Sequence, residues 1–341
     1  MAVTQFEPFA NSDIATTTTL LHESIPLTGS ILSGTYNDDN IKNYTHGQFQ
    51  SVYDYPYLSS SANHIIDISI GYDETSPLSA STATQNAKKI NMYNQFSQVL
   101  LGFTGSDNSV RSFERDLTLD QQNVIPEGAF LSFSRLITKD QIKKGTFSIT
   151  LGTGSYANPF ALTKTLTDAS ASSTGGTLNT LGGDYGLLYS TDNVARGLVF
   201  YQAGIVVLST SSFDGVTDFF SASVAGASSS ADVFVSSSIS GACDTFRHRI
   251  QNISFNNTTE INSTIYFCHV PSNDYNHSGN PTYLSSSTIR VKSVNTDPPI
   301  SYITTVGLYS ADNELLAVAK VSEPLRKDPT NELTLRVRLD Y

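Results

Sequence analysis

Ser301–Tyr341, SYITTVGLYSADNELLAVAKVSEPLRKDPTNELTLRVRLDY, reads as three consecutive strands. Ile303–Tyr309 and Glu314–Val321 are β-rich runs, and Ser310-Ala311-Asp312-Asn313 between them is turn chemistry. A proline-bearing loop is expected over Glu323–Thr330. The closing run alternates strictly, with Leu333, Leu335, Val337, Leu339 and Tyr341 on one face and Thr334, Arg336, Arg338 and Asp340 on the other. Chain ends usually fray, so a strand reaching Tyr341 predicts a terminus built into a sheet. Gly307, inside the first run, is expected to serve a close backbone approach or a bulge.

Working outward, further strands are expected at His64–Tyr72, Ala129–Ile137 (Leu131, Phe133 and Ile137 on one face), Thr146–Leu151, Leu187–Ser190, Gly197–Tyr201, Ile205–Leu208 and Thr288–Val294. Asn252–Phe255 and Ile261–His269 read as a strand pair joined by NNTTE. The best helix spans Thr82–Leu101, capped by Ser81 or Thr82, with Ala87, Ile90, Tyr93 or Asn94, Phe96 and Leu100 as its apolar stripe and Gly102 as its stop. A single stripe predicts a helix lying across a sheet. Short helical stretches are expected at Thr138–Lys144, ended by Gly145, and at Asp244–Gln251. Short strands separated by polar turns favour a mainly β fold, an antiparallel β-sandwich or barrel with one longer helix and long loops. The expected organisation is an extended N-terminal arm over 1–60, a β-rich domain with the helix over 61–210, a Ser-rich loop over 211–240, and a C-terminal β-sandwich part over 241–341, which also fits a single domain with 61–210. The aromatic cluster Tyr53, Tyr55 and Tyr57 suits an interface, because tyrosine supplies area and a polar tip.

The composition narrows the function classes. The 341-residue chain is 39% hydrophobic and only 15% charged, with Ser, Thr and Asn in place of charges. A formal net charge of −11, from 20 Lys+Arg and 31 Asp+Glu, gives no basic face for phosphate contacts, so nucleic acid is not an expected partner. The pairs Lys88-Lys89, Lys143-Lys144 and Arg326-Lys327 are expected to be solvated. No apolar run approaches the roughly 20 residues of a membrane helix, so no membrane partner is expected. The start, MAVTQFEPFANSD, lacks the charged and apolar regions of a secretory signal, which predicts synthesis in a cytoplasm. Cys243 and Cys268 sit among apolar residues and read as buried free thiols.

Catalytic patterns are missing. Gly152-Thr153-Gly154-Ser155-Tyr156-Ala157 nominally fits a dinucleotide fingerprint, but Pro159 and the Thr-rich stretch after it make the required helix poor, so a hairpin loop is expected. There is no G-x-S-x-G nucleophile elbow. Cys243, His248, Cys268 and His269 do not have a zinc-ligand spacing, and calcium loops of the D-x-[DN]-x-[DN]-G type are absent. Neither an enzyme nor a cofactor or metal site is expected.

The run Ile303–Tyr309 with Asn313–Ala319 resembles a hairpin of bacteriophage tail-associated proteins, here C-terminal where those carry it toward the N-terminus. The blocks Arg247–Cys268, Gln85–Gln98 and Phe130–Gly145 are similar to virion structural proteins of large contractile-tailed phages, the marine and cyanophage relatives of the T-even group. The resemblance implies a virion component of the tail, baseplate or neck, made in a host cytoplasm. It would act by assembly contacts with copies of itself and other virion proteins. An outer capsid protein or a receptor- or carbohydrate-binding β-domain are the alternatives. Tyr53, Tyr55, Tyr57, Gly307, Tyr309 and Tyr341 are the expected interface residues.

Overall fold

Most of the apolar and alternating runs form strands in the computed structural model, which describes residues 6–28, 32, 39–104, 109–216, 218–219, 229–278, 282–285, 288–290, 294, 296 and 298–341. In chain order the strands are β1 (Ile14–Thr28), β2 (Ile41–Asn43), β3 (Gln50–Tyr53), β4 (His64–Tyr72), β5 (Glu127–Phe133), β6 (Gln141–Ile142), β7 (Ser148–Gly152), β8 (Thr163–Thr167), β9 (Thr177–Thr180), β10 (Gly183–Ser190), β11 (Ala195–Phe200), β12 (Ile205–Ser209), β13 (Ile250–Val270), β14 (Leu284–Ser285), β15 (Thr288–Ile289), β16 (Ser301–Tyr309), β17 (Leu315–Lys327) and β18 (Leu333–Asp340). The helices that carry the argument are α1 (Asn86–Leu100), α2 (Ser230–Ser236) and α3 (Ile239–His248). The fold is mainly antiparallel β with a large sheet and few helices, the class expected of a sandwich or barrel. The chain divides into two compact units, Leu21–Thr259 and Met1–Leu20 with Glu260–Tyr341.

In the larger unit the sheet runs from β13 through β7, β8, β10, β11, β12, β5, β4 and β3 to β2, with β9 added to β10 and β6 to β13. Strands β2 and β3, within the stretch expected as an extended arm, belong to this sheet. Both faces are covered. On one, Ile66, Ile68 and Ile70 of β4 and Ala129, Leu131 and Phe133 of β5 pack with Cys243 and Phe246 of α3. On the other, Phe130 meets Phe96 of α1 ring on ring, 4.3 Å between centroids, and Phe200 and Val207 complete the layer.

Helix α1 lies against β4 because Gly71 leaves room for it: a Cβ there would sit 2.5 Å from the carbonyl oxygen of Lys89. That approach fixes which helical face is buried. Lys89, Met92, Tyr93, Ser97 and Leu100 point inward while Ala87 is exposed, so the stripe is rotated from the expected one. The helix also starts later than expected. Its first cap is Gln85 in the left-handed region (φ 55), with no side-chain cap from Ser81 or Thr82. Gly102 ends it as expected, at φ 82 with its N–H donated to Ser97 O.

Other segments depart from the expected pattern for identifiable reasons. Arg135–Thr138 winds into a helical turn and does not prolong β5, and the turn expected over Thr138–Lys144 contains the short strand β6, held by pairing of Ile142 with Asn257. Part of the expected Ser-rich loop is α2, started by a reciprocal cap between Ser229 and Asp232 and anchored by buried Val233 and Phe234. Residues 217 and 220–228 of that loop lie outside the described residues; of the strand expected at Thr288–Val294, Thr288–Ile289 form β15 and 291–293 lie outside the described residues. The expected strand pair Asn252–Phe255 and Ile261–His269 is one 21-residue strand, β13. Its polar middle stays extended because neighbours satisfy it: Asn257 and Thr258 are buried, and Asn257 Nδ2 donates to Ile137 O at 2.8 Å.

Two of the lysines expected in solvent are buried. Lys89 Nζ donates to the carbonyls of Phe234, Val235 and Ser237 at the end of α2. Lys327 Nζ donates to Ser272 O, Asn276 Oδ1 and Asp328 O. Burial also takes Arg249, whose guanidinium reaches Gly152 O and Gly154 O in the β7–β8 loop, the segment of the nominal dinucleotide motif, which is a hairpin connection.

In the smaller unit, β18 pairs antiparallel with the far half of β13, Val270 opposite Leu333 through Ser263 opposite Asp340. Tyr341 N and O exchange hydrogen bonds with Asn262 O and N, so the last residue is tied to the ladder. β16 and β17 form the expected hairpin, turning at Ser310–Asn313 with Asn313 left-handed (φ 62) and Ser310 N donating to Glu314 O. β17 runs on to Lys327, through most of the expected loop. The ladder omits Val321–Pro324, so Pro324 falls in a bulge where its missing N–H leaves no gap.

Candidate functional site

The smaller unit holds a groove of about 800 Å³. One wall is β16. The other walls are the Phe6–Phe9 segment, the end of β13, and the turn carrying Tyr275 and His277. Phe6 meets the Tyr309 ring edge-on at 5.0 Å, and Phe9 lies 5.4 Å from the Tyr266 ring. These contacts set the N-terminal segment beside the hairpin.

A polar staple holds that segment. His269 Nε2 lies 3.2 Å from Asp13 Oδ1, and His269 Nδ1 lies 3.2 Å from Thr334 Oγ1 across the β13–β18 ladder. The Ala10 N–H, donated to the Asp13 carboxylate, holds its pKa below the usual carboxylate value, with His269 adding to the effect. The facing turn is also clamped. Lys327 grips Ser272 and Asn276, Ser301 Oγ donates to Tyr275 O, and Tyr275 itself sits in the left-handed region at φ 57. A bulky residue in that conformation costs about 1 kcal/mol or more, which the surrounding bonds hold in place. Burial, with the Glu7 carboxylate nearby, raises the pKa of the Tyr275 phenol.

The arrangement offers ring faces, hydroxyls, imidazoles and the Glu7 and Asp13 carboxylates. It does not assemble a nucleophile. Cys268 lines the groove, but burial raises its thiol pKa, so it is protonated at neutral pH. Both imidazole nitrogens of His269 are engaged in the staple.

Of the expected interface residues, Gly307 and Tyr309 line this groove. Gly307 faces Val318 in the ladder and the irregularity lies one step on, between Leu308 and Tyr309; a Cβ on Gly307 would stand 3.0 Å from the Tyr309 ring. The close approach is thus to a side chain of its own strand. Tyr341 is exposed beside the ladder, its hydroxyl 3.2 Å from Thr264 Oγ1. Tyr53, Tyr55 and Tyr57 belong to the larger unit. Tyr53 stacks edge-on with His64 at 5.5 Å and approaches Tyr57 at 6.4 Å, and Tyr55 is exposed. Sequence reasoning missed Phe6, Phe9, Asp13, Tyr275 and Tyr302. The doubled aromatics of Phe6-Glu7-Pro8-Phe9 were the available signal.

The larger unit gathers Glu114, Asp116 and Asp120 with carboxylate oxygens within 4.8 Å of one another. Burial raises the pKa of Glu114, which accepts from Gln121 N and Nε2, while Asp116 accepts from Thr118 and Asn123, so these carboxylates already brace their own loop. Among the described residues no helix is long and apolar enough to cross a membrane. No protein-family model, curated protein or solved structure matches this chain.

Proposed function

We propose that the chain is a structural component of a bacteriophage particle, of the tail, baseplate or neck, acting through contacts with copies of itself and with other virion proteins. The observation that carries this reading is the solvent-facing apolar surface of β17, where Leu315 is 53%, Leu316 68% and Val318 53% exposed on a two-stranded hairpin. Exposed hydrophobics set together on a strand mark contact surfaces. Each such side chain, once covered, contributes about 1–2 kcal/mol, and symmetric repetition multiplies small contributions. The outer edge of β1 adds to it. β1 ends the sheet order among the described residues, and Leu20 and Leu21 on it are exposed. An unpaired edge is a template for a strand from another chain. The phrase-level resemblance of the same hairpin to tail-associated phage proteins supplies the particle.

Sedimentation velocity over a concentration series tests the assembly. The native chain is expected to form oligomers, and Leu316→Ser with Val318→Ser to dissociate them while keeping the native circular dichroism spectrum. A strictly monomeric native chain, absent by mass spectrometry from purified particles, would overturn the reading.

A further inference from the structure

The groove in the smaller unit has a chemistry of its own. Its lining combines the rings of Phe6, Phe9, Tyr302 and Tyr309 with the carboxylates of Glu7 and Asp13 and the imidazole of His277. Among the described residues that line it, none is lysine or arginine. An anionic ligand, whether phosphate, nucleic acid or an acidic polysaccharide, would therefore meet carboxylates with no fixed cation to balance it. Part of the ring surface stays open: Tyr302 is 50% exposed, and Tyr309, which also meets Phe6 edge-on, is 44% exposed. Flat apolar faces interleaved with acceptors suit a ligand that is itself apolar on its ring faces and rimmed with hydroxyl donors, which describes a pyranose. The wall is nine residues of β16, and at about 3.3 Å per residue its length takes several sugar rings in a row.

The groove is also preformed. Buried Lys327 clamps the Ser272–Asn276 turn, Ser301 holds Tyr275, and the His269–Asp13 pair fixes the segment bearing Phe6 and Phe9. A wall held before the ligand arrives loses little ordering entropy on binding.

We propose that this groove binds a neutral oligosaccharide. The ring faces of Tyr302 and Tyr309 stack on the sugars, and Glu7 accepts hydrogen bonds from their hydroxyls. Leu315, Leu316 and Val318 are not among its lining residues, although Tyr309 pairs with Leu315 across the hairpin; sugar binding and self-association are therefore read by separate measurements.

Saturation-transfer NMR on the full chain tests it, with neutral tetrasaccharides (maltotetraose, cellotetraose, mannotetraose and chitotetraose) and a hyaluronan tetrasaccharide as the anionic probe. At least one neutral probe is expected to receive saturation. Tyr302→Ala and Tyr309→Ala are each expected to weaken its binding about tenfold, the effect of roughly 1.4 kcal/mol, while Tyr309→Phe, and Tyr57→Ala in the larger unit, leave it unchanged. Because Tyr302 and Tyr309 are half exposed, their variants are expected to keep the native circular dichroism spectrum, which separates lost binding from lost folding. Three results would overturn the proposal: no transfer to any neutral probe, stronger transfer to hyaluronan than to all of them, or neutral binding that the tyrosine-to-alanine variants leave intact.

Discussion

Lys89→Met is expected to remove a distinct component from the alkaline stability profile. The Lys89 side chain is 0% exposed, and its ammonium donates to the carbonyls of Phe234, Val235 at 3.5 Å and Ser237 at 2.9 Å. Burial lowers its pKa from 10.5 to about 8. Between those values the unfolded chain carries a proton that the folded chain has released. Unfolding therefore takes up a proton, and Lys89 adds to stability as pH rises, by about 1.4 kcal/mol per unit and about 3 kcal/mol in all. Below pH about 8 both states are protonated and above 10.5 both are neutral, so outside the window the contribution is flat. Other buried groups act in the opposite sense. The Cys243 thiol and the Tyr93 and Tyr185 phenols are pushed up by burial, so the folded chain keeps protons that the unfolded chain loses. The native profile alone mixes both signs, and the comparison of native and variant chains isolates Lys89. Urea unfolding followed by circular dichroism at steps between about pH 7.5 and 10.5 is expected to show the native chain gaining about 3 kcal/mol relative to Lys89→Met across the window. A difference constant to within about 0.5 kcal/mol would refute the idea that the buried amine sheds its proton in the fold.

Two further substitutions probe how the larger unit is held. Arg249 is fully buried and donates to Gly152 O, Gly154 O, Phe219 O and Asp218 O, with its guanidinium 4.5 Å over the Phe219 ring. Arg249→Met strands those carbonyls and is expected to lose about 3–5 kcal/mol in urea unfolding, whereas exposed Arg336→Met stays within about 0.5 kcal/mol. Gly71→Ala puts a methyl 2.5 Å from Lys89 O and 2.8 Å from Tyr93 N, both backbone atoms that can yield only if α1 lifts from β4. The expected cost is about 1–3 kcal/mol, read as a lower melting temperature; an unchanged value would mean that α1 is not held against Gly71.

What the sequence disclosed was local. The β16–β17 hairpin and β18 were legible because alternation and turn residues lie within a few positions of one another, and Gly102 announced the end of α1 because a left-handed residue is needed there. The cap that starts α2 was equally local, in Ser229 and Asp232, but a Ser-rich composition masked it. The long-range features were not legible. NNTTE reads as a turn, and only the neighbours of Asn257 and Thr258 make it strand. Nothing in Lys88-Lys89 says which lysine is buried, since that follows from where Gly71 lets α1 settle and where α2 ends. The groove depends on contacts such as Asp13 with His269, 256 positions apart, which no period or motif encodes.

The buried cations share one task that bears on function. Lys89 closes the end of α2, Arg249 ties the β7–β8 loop to Asp218 and Phe219, and Lys327 holds the turn beside the groove, each donating mainly to backbone carbonyls. Loop carbonyls that face the interior need donors, and a chain with only 15% charged residues meets that need with a few interior cations. Loops pinned from inside do not have to be ordered by a partner. The exposed residues can then stay apolar or hydroxyl-bearing at fixed positions, and under the assembly and sugar-binding proposals above the partner would meet a surface already in its bound shape. Association costs less ordering entropy under those conditions, so in the proposed assembly contacts as weak as those of Leu316 and Val318 would suffice when repeated.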